Sequence, residues 1–306
     1  MKNSDHVLNE RITALKAERR AVILAHNYQL GEVQDIADYV GDSLELARKA
    51  ADLTDVERIV FCGVLFMAET AKILNPDRRV LMPDPNAGCP MAAMITERQL
   101  AALKAEHPEA AVVCYVNSSA AIKAMSDICC TSANATAVVA SIPADQPVLF
   151  IPDQSLGDYT ARQLGRDLIL YPGYCPSHHR ILPRDLREQR AAHPNAKVIV
   201  HPECTAEVIA LADAVGSTSQ ILRFCRETNA REFVIGTEVG ILHRLRKENP
   251  DRVFYPASPL ADCPNMKLTT LEKVLWSLKD DAYEVTVPAA VSAGARRSIE
   301  RMLALS

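Results

Sequence analysis

The chain has a single tryptophan, and aromatic residues make up only 5% of it. It lacks any apolar run of the roughly 18 residues that a membrane span requires, so no membrane association is expected. The first thirty residues, "MKNSDHVLNERITALKAERRAVILAHNYQL", contain no uninterrupted apolar segment followed by a small-residue cleavage site, and the chain reads as cytoplasmic. Positive charge is not in excess either. Thirty-four Lys and Arg against 38 Asp and Glu leave a net charge of −4, without the basic footprint that nucleic-acid binding usually leaves. Neither G-x-G-x-x-G nor G-x₄-G-K-[ST] occurs, which weakens a nucleotide-binding reading. No C-x₂-C pair occurs, the local spacing from which zinc sites usually draw their ligands.

Present instead is an ordinary globular composition, 48% hydrophobic and 24% charged over 306 residues, enough for two or three domains. Nine cysteines in a reducing compartment are thiols or metal ligands rather than disulfides. Three of them share a context. Cys89, Cys175 and Cys263 each precede a proline, in "GCPMAAM", "YCPSHH" and "DCPNMK", at steps of 86 and 88 residues.

Apolar runs rich in Val and Ile alternate with helical patterns along the whole chain, which predicts an α/β fold. The runs fall into three sets. In each, the first strand ends in polar residues: His26-Asn27-Tyr28, Tyr115-Val116-Asn117 and His201-Pro202-Glu203. A hydroxyl-bearing turn then opens a helix at Ser43, at Ser132, and at Ser217 and Thr218. A third strand leads into the loop that carries Cys-Pro. The period of about 87 residues is too long for a solenoid unit and fits a domain-sized unit of one helix plus three βα steps. The predicted architecture is three homologous αβα units with parallel sheets around a pseudo-threefold axis. The first unit spans 1–93 plus the tail 268–306, the second 94–180 and the third 181–267. The tail is expected to return to the first unit, its helix opened by a capping box of Thr269 and Glu272.

Ligands of parallel sheets gather beyond the carboxyl ends of the strands. If three units face one axis with those ends inward, the Cys-Pro loops meet there, and three thiolates could share one metal centre. Three sulfurs alone suit an iron–sulfur cubane with one iron left free of protein ligands. The plainer alternative, cysteines as small buried hydrophobes, stays open at this point.

The motifs "AHNYQ", "GDSLELA", "NAGCPMA", "YVNSSA", "CTSANA", "PDQSLG", "GYCPSH", "HPEC", "GSTS", "GTEVG" and "CPNMK" occur in this order. Over residues 21–278 the chain closely resembles the quinolinate synthases. The resemblance implies one 4Fe-4S cluster per chain, held by Cys89, Cys175 and Cys263. It implies a transferase-type condensation of iminoaspartate with dihydroxyacetone phosphate, and a transient contact with the enzyme that oxidises L-aspartate. His26, Ser43, Tyr115, Asn117, Ser132, His201, Glu203 and Thr218 match substrate-contacting positions, and Ser217 joins them as the hydroxyl beside Thr218. Among these, Glu203 is assigned as base, His201 as a holder of carboxylate or phosphate, and Tyr28 and Tyr115 as proton relays or orienting groups. The hydroxyl turns at helix starts are read as anion cradles, although N-capping accounts for such residues equally well. His178, Asp153 and Glu238 stay outside the candidate set. Two rival functions stand beside this one: an iron–sulfur electron carrier, which would want a fourth thiolate, and a cluster-free sugar-phosphate- or nucleotide-binding protein of doubly wound type.

Overall fold

The structure is a computed structural model that describes residues 2–305. Its strands form three parallel sheets of four. β1 (Ala21–His26), β2 (Tyr39–Gly41), β3 (Arg58–Cys62) and β4 (Arg79–Leu81) lie in the order β2-β1-β3-β4. β5 (Ala111–Tyr115), β6 (Ile128–Cys130), β7 (Val148–Ile151) and β8 (Ile169–Leu170) lie as β6-β5-β7-β8. β9 (Lys197–Val200), β10 (Ala214–Val215), β11 (Glu232–Gly236) and β12 (Val253–Pro256) lie as β10-β9-β11-β12. One topology is therefore built three times, each sheet flanked by helices. The central strands β5 and β7 are buried along their whole length. That is why they read as continuous apolar runs rather than as alternation.

In each sheet the chain leaves the first strand toward one edge and the second strand toward the other. The carboxyl ends of β1 and β3, and of their counterparts, thus border the crevice where ligands of open α/β sheets bind. A second threefold feature locks this arrangement. Asp38, Asp127 and Asp213 accept from the amides of Ile23, Val112 and Val198 at 2.8, 2.7 and 2.7 Å. Their own amides return to the carbonyls of those residues at 2.9, 3.0 and 2.8 Å. Each carboxylate satisfies an amide of the first strand just before the short second strand begins alongside it.

The tail divides. The helix Leu271–Asp280 packs on the N-terminal helix Lys2–Glu18 and on β3, whereas Ala289–Ala304 lies mainly along the second unit's helix Ala120–Ala124 and β6. Its approach there is close enough to demand Gly294, where a Cβ would come within 3.0 Å of the Ala124 carbonyl oxygen. The capping residue of 271–280 is Thr270, which accepts from the Lys273 amide, not Thr269, whose side chain is fully buried. Among the described residues no helix is long and apolar enough to cross a membrane.

Candidate active site

The three units together line one cavity. The side chains of His26, Tyr28, Ser43, Tyr115, Asn117, Ser132, His201, Glu203 and Thr218 line it, as do Cys89, Cys175 and Cys263. All three units contribute. The repeat is visible in the local bonding: the Tyr28 amide donates to His26 Nδ1 at 3.2 Å, and the Glu203 amide donates to His201 Nδ1 at 3.3 Å. In the first unit the strand ends on a histidine and in the third a histidine directly follows it, and in both Nδ1 is occupied by the amide of the residue two further on. Each ring therefore carries its proton on Nε2. For His201 that N–H meets Ser132 Oγ at 3.1 Å, across the boundary with the second unit. Burial lowers the pKa of His26 to about 4 and of His201 to about 3, outweighing the nearby carboxylates. Both rings are neutral hydrogen-bond donors at neutral pH, not cations.

Glu203 sits at the hub, only 3% exposed. Tyr115 donates its phenol proton to Oε1, and Oε2 lies 2.7 Å from His178 Nδ1. Burial by itself would raise the carboxyl's pKa. The facing His178 and His201 rings and the bonds from His178 and Tyr115 outweigh that and hold it well below the usual carboxylate range. Burial, and then the Glu203 charge, push Tyr28 and Tyr115 well above the ordinary phenol value. Both phenols thus stay protonated. The network runs on: His178 Nε2 meets Thr237 Oγ1 at 2.8 Å, and Thr237 Oγ1 meets the Tyr28 hydroxyl at 2.5 Å. Tyr28 and Tyr115, contributed by two different units, thereby both connect to one carboxylate on the third. The Asn117 side-chain oxygen is buried without a partner, an acceptor left over in the cavity wall.

The cysteines sort into two groups. Cys62, Cys114, Cys129, Cys130, Cys204 and Cys225 are buried, while Cys89, Cys175 and Cys263 are only partly so and face the cavity. Burial pushes the Cys89 thiol up to about 12 and raises Cys175 and Cys263 as well. The walls therefore do not stabilise these thiolates; a bound cation would, by displacing their protons. Their loops are tied down. Glu238 accepts from the Cys263 amide at 3.0 Å and meets Lys267 Nζ at 2.8 Å. Asn265 donates to the Gly88 carbonyl at 2.7 Å, joining two of the loops. Ser177 donates to the Asp262 carbonyl at 3.1 Å, joining the Cys175 and Cys263 loops. Gly173, two residues before Cys175, lies so close to the Pro152 carbonyl oxygen that a Cβ would sit 2.4 Å from it. Three soft sulfur donors lining one cavity suit an iron–sulfur cluster.

The hydroxyl turns differ from the expectation of anion cradles. In the first unit Asp42, not Ser43, caps the helix Ser43–Asp52, taking the Leu44 and Glu45 amides at 2.9 Å each. In the third, Ser217 caps Thr218–Glu227 and accepts from the Gln220 amide. Those N-terminal amides are already occupied. What reaches the cavity is the hydroxyl one residue further on, Ser43 and Thr218, with Ser132 as the second unit's counterpart. Ser217 is fully buried and does not line the cavity.

Four groups escaped the candidate set. His178 bridges Cys175 Sγ, at 3.1 Å, and Glu203; its position three residues after a Cys-Pro cysteine was the only sequence signal. Thr237 and Glu238 follow β11, at the strand ends where polar residues were already under suspicion. Asp42 precedes the hydroxyl that drew attention instead. The histidine, Cys175 Sγ and Glu203 offer three donor atoms within 4.8 Å of one another.

Comparison with known proteins agrees with this picture. A family model described as "Quinolinate synthetase A protein" matches residues 10–304. A quinolinate synthase of Dehalococcoides mccartyi is 55% identical over 297 residues, covering 97% of this chain and 98% of that protein. One from the archaeon Methanoregula boonei is 54% identical over 299 residues, with 98% of both chains covered. A third, from Thermodesulfovibrio yellowstonii, is 52% identical over 297 residues and 97% of each.

Proposed function

The chain belongs to the quinolinate synthetase A family, and from that premise we propose that it condenses iminoaspartate with dihydroxyacetone phosphate to form quinolinate. Phosphate and two waters are released, and the product feeds NAD biosynthesis in the cytoplasm. Cys89, Cys175 and Cys263 would hold one 4Fe-4S cluster. When bound, such a cluster supplies an iron outside the thiolate set, a Lewis acid for a substrate oxygen or nitrogen.

The remaining work falls to side chains. Glu203, ionised and enclosed, takes a proton from carbon as the triose isomerises. Tyr115 orients that carboxylate, and both phenols, Tyr28 and Tyr115, can donate to oxygen that gains charge. His26 and His201, neutral Nε2–H donors, hold carboxylate or phosphate by hydrogen bonding rather than by charge, with the His201 N–H turning from Ser132 Oγ to the ligand. Ser43, Ser132 and Thr218 add three hydroxyl donors from the three units. Asn117, with its unpartnered oxygen, suits an imine N–H. Val64, Phe66, Met67, Met91 and Met266 complete the wall, and their apolar surface excludes water from an imine that hydrolyses readily.

One observation carries the reading: three partly accessible Cys-Pro sulfurs face the same enclosed space as the Tyr115–Glu203–His178 network. The test is anaerobic reconstitution of wild type, Cys175→Ala and Cys62→Ala, with iron and sulfide counted and quinolinate measured. Wild type and Cys62→Ala should hold about four irons and turn over, and Cys175→Ala should lose both. Full iron in Cys175→Ala, or no quinolinate from reconstituted wild type, would overturn the proposal.

A further inference from the structure

The helices Ser43–Asp52 and Thr218–Glu227 are counterparts in the first and third units, and each opens on its cavity hydroxyl. Five residues beyond those hydroxyls stand Arg48 and Arg223, which therefore occupy the same position in the repeat. The second unit's counterpart, five residues beyond Ser132, is Ala137. The two arginines line two adjoining grooves on the outside of the cavity, which share Arg48, Ala133, Gln220 and Arg223, with Ala137 on the wall of one of them.

Only a thin partition separates groove from cavity. Asp42 and Ser132 each line both spaces. Ser219 Oγ donates to Asp42 Oδ2 at 2.5 Å and Ser217 Oγ to the same oxygen at 3.4 Å, joining the first and third units. Gln220 Nε2 donates to the Ala133 carbonyl at 3.3 Å, joining the third and second. Asn27 Nδ2 donating to Thr218 Oγ1 at 2.9 Å and His201 Nε2 with Ser132 Oγ at 3.1 Å cross the same seam, and all five are contacts between units rather than within one.

The carboxylates along the groove are already engaged. Asp42 accepts from two amides and the two serines. Glu45 accepts from the Asp42 amide at 2.9 Å. Glu248 pairs with Arg244 at 2.6 Å, and Glu227 lies 3.8 Å from Arg226. Arg48 and Arg223 are exposed and, among the described residues, make no hydrogen bond or ion pair. Two guanidinium groups thus line these grooves without an acceptor among the described residues, and such donors suit phosphate and carboxylate.

We propose that Arg48 and Arg223 form an outer anion-binding site that captures the phosphate- and carboxylate-bearing substrates before they cross the Asp42–Ser219 and Ala133–Gln220 seam into the cavity. The inference rests on the reading that the substrates are a phosphate ester and a dicarboxylate. Electrostatic capture of this kind raises association rates by about 10- to 10³-fold and weakens with salt.

The test compares reconstituted wild type with Arg48→Glu/Arg223→Glu and with the control Arg98→Glu/Arg187→Glu. The control reverses two exposed charges outside the groove. In the groove variant kcat/KM should fall at least tenfold at low ionic strength, with kcat within twofold of wild type, and the deficit should shrink as salt is added. The Arg48→Lys/Arg223→Lys variant should recover most of the loss. Varying each substrate with the other saturating shows which anion is captured; a fall for either one supports the site. Inorganic phosphate, titrated calorimetrically against wild type and Arg48→Gln/Arg223→Gln, provides a readout that needs no turnover. Phosphate binding weakened in the glutamine variant supports the proposal even if wild type makes no quinolinate, a result that would sink only the catalytic reading. Unchanged kcat/KM at all ionic strengths, an equal fall in the control, or phosphate binding equal in the two proteins overturns it.

Discussion

Glu203→Gln is the most informative single change at the cavity, because it removes one charge and almost no volume. The buried wild-type carboxylate receives two bonds from its neighbours' protons: the Tyr115 phenol at Oε1 and the His178 Nδ1–H at Oε2. Glutamine keeps one acceptor oxygen, which stays with Tyr115. Its amide nitrogen then faces His178 Nδ1, two donors against each other, unless the ring moves its proton to Nε2. That move turns the contact with Thr237 around, so Thr237 must accept where it donated, and the Tyr28 hydroxyl bonded to Thr237 must adjust as well. Such rearrangement of buried bonds costs about 1–3 kcal/mol of stability, well short of unfolding a chain this size. Loss of a positioned base lowers turnover by about 10²- to 10⁴-fold, or about 2.7–5.4 kcal/mol of barrier. The assay is quinolinate formation by anaerobically reconstituted protein, with iron and sulfide counted on the same sample and the urea midpoint recorded. Full iron content, a modestly lowered midpoint and turnover down by at least a hundredfold are expected. Turnover within threefold of wild type at full iron would remove Glu203 from the chemistry and the argument with it.

The aspartate clamps give a stability prediction. Asp127→Ala and Asp213→Ala each strip a charge-assisted bond from a buried strand amide and should each cost about 1.5–3 kcal/mol in urea unfolding, with the asparagine variants less affected; losses under 0.5 kcal/mol would show that the clamp is ornamental. His26 and His201 predict a pH dependence. Their folded pKa values, about 4 and about 3, lie below the unfolded value near 6.5. Between about pH 6.5 and 4 the unfolded chain therefore binds protons that the folded chain does not. Stability should fall with acidification by up to about 1.4 kcal/mol per pH unit for each histidine. His201→Gln should remove one proton's worth of that slope; a wild-type-minus-variant difference that stays flat from pH 7 to 4.5 would mean that His201 is not held neutral.

Much of the architecture was legible because it is written locally. Apolar runs such as "AVVCY" and "VLFI" need burial on both faces, and parallel sheets covered by helices supply it. The repetition of strand-end polar residues, hydroxyl turns and Cys-Pro loops at one period placed twelve of the thirteen candidate side chains on a single cavity. Spacing alone could do this because each residue's place in a βα unit sets which end of the sheet it occupies. Where several polar residues adjoin, periodicity does not choose between them. Asp42 and Ser43 are neighbours, yet one caps and the other faces the cavity; Ser217 and Thr218 divide the same way.

What the sequence by itself determined, then, is three like units, which strand ends line the common cavity and which three cysteines stand apart from the other six. Tertiary structure alone decided who meets whom. The Tyr115–Glu203 pair is separated by 88 residues, His178–Thr237 by 59 and Tyr28–Thr237 by 209. It also sent the last helix, Ala289–Ala304, to the second unit rather than the first. The physical reason is one of range. Dihedral preference, capping and hydrophobic period act over a few residues and specify elements, whereas contacts between units depend on how whole sheets and helices pack, which no local pattern encodes.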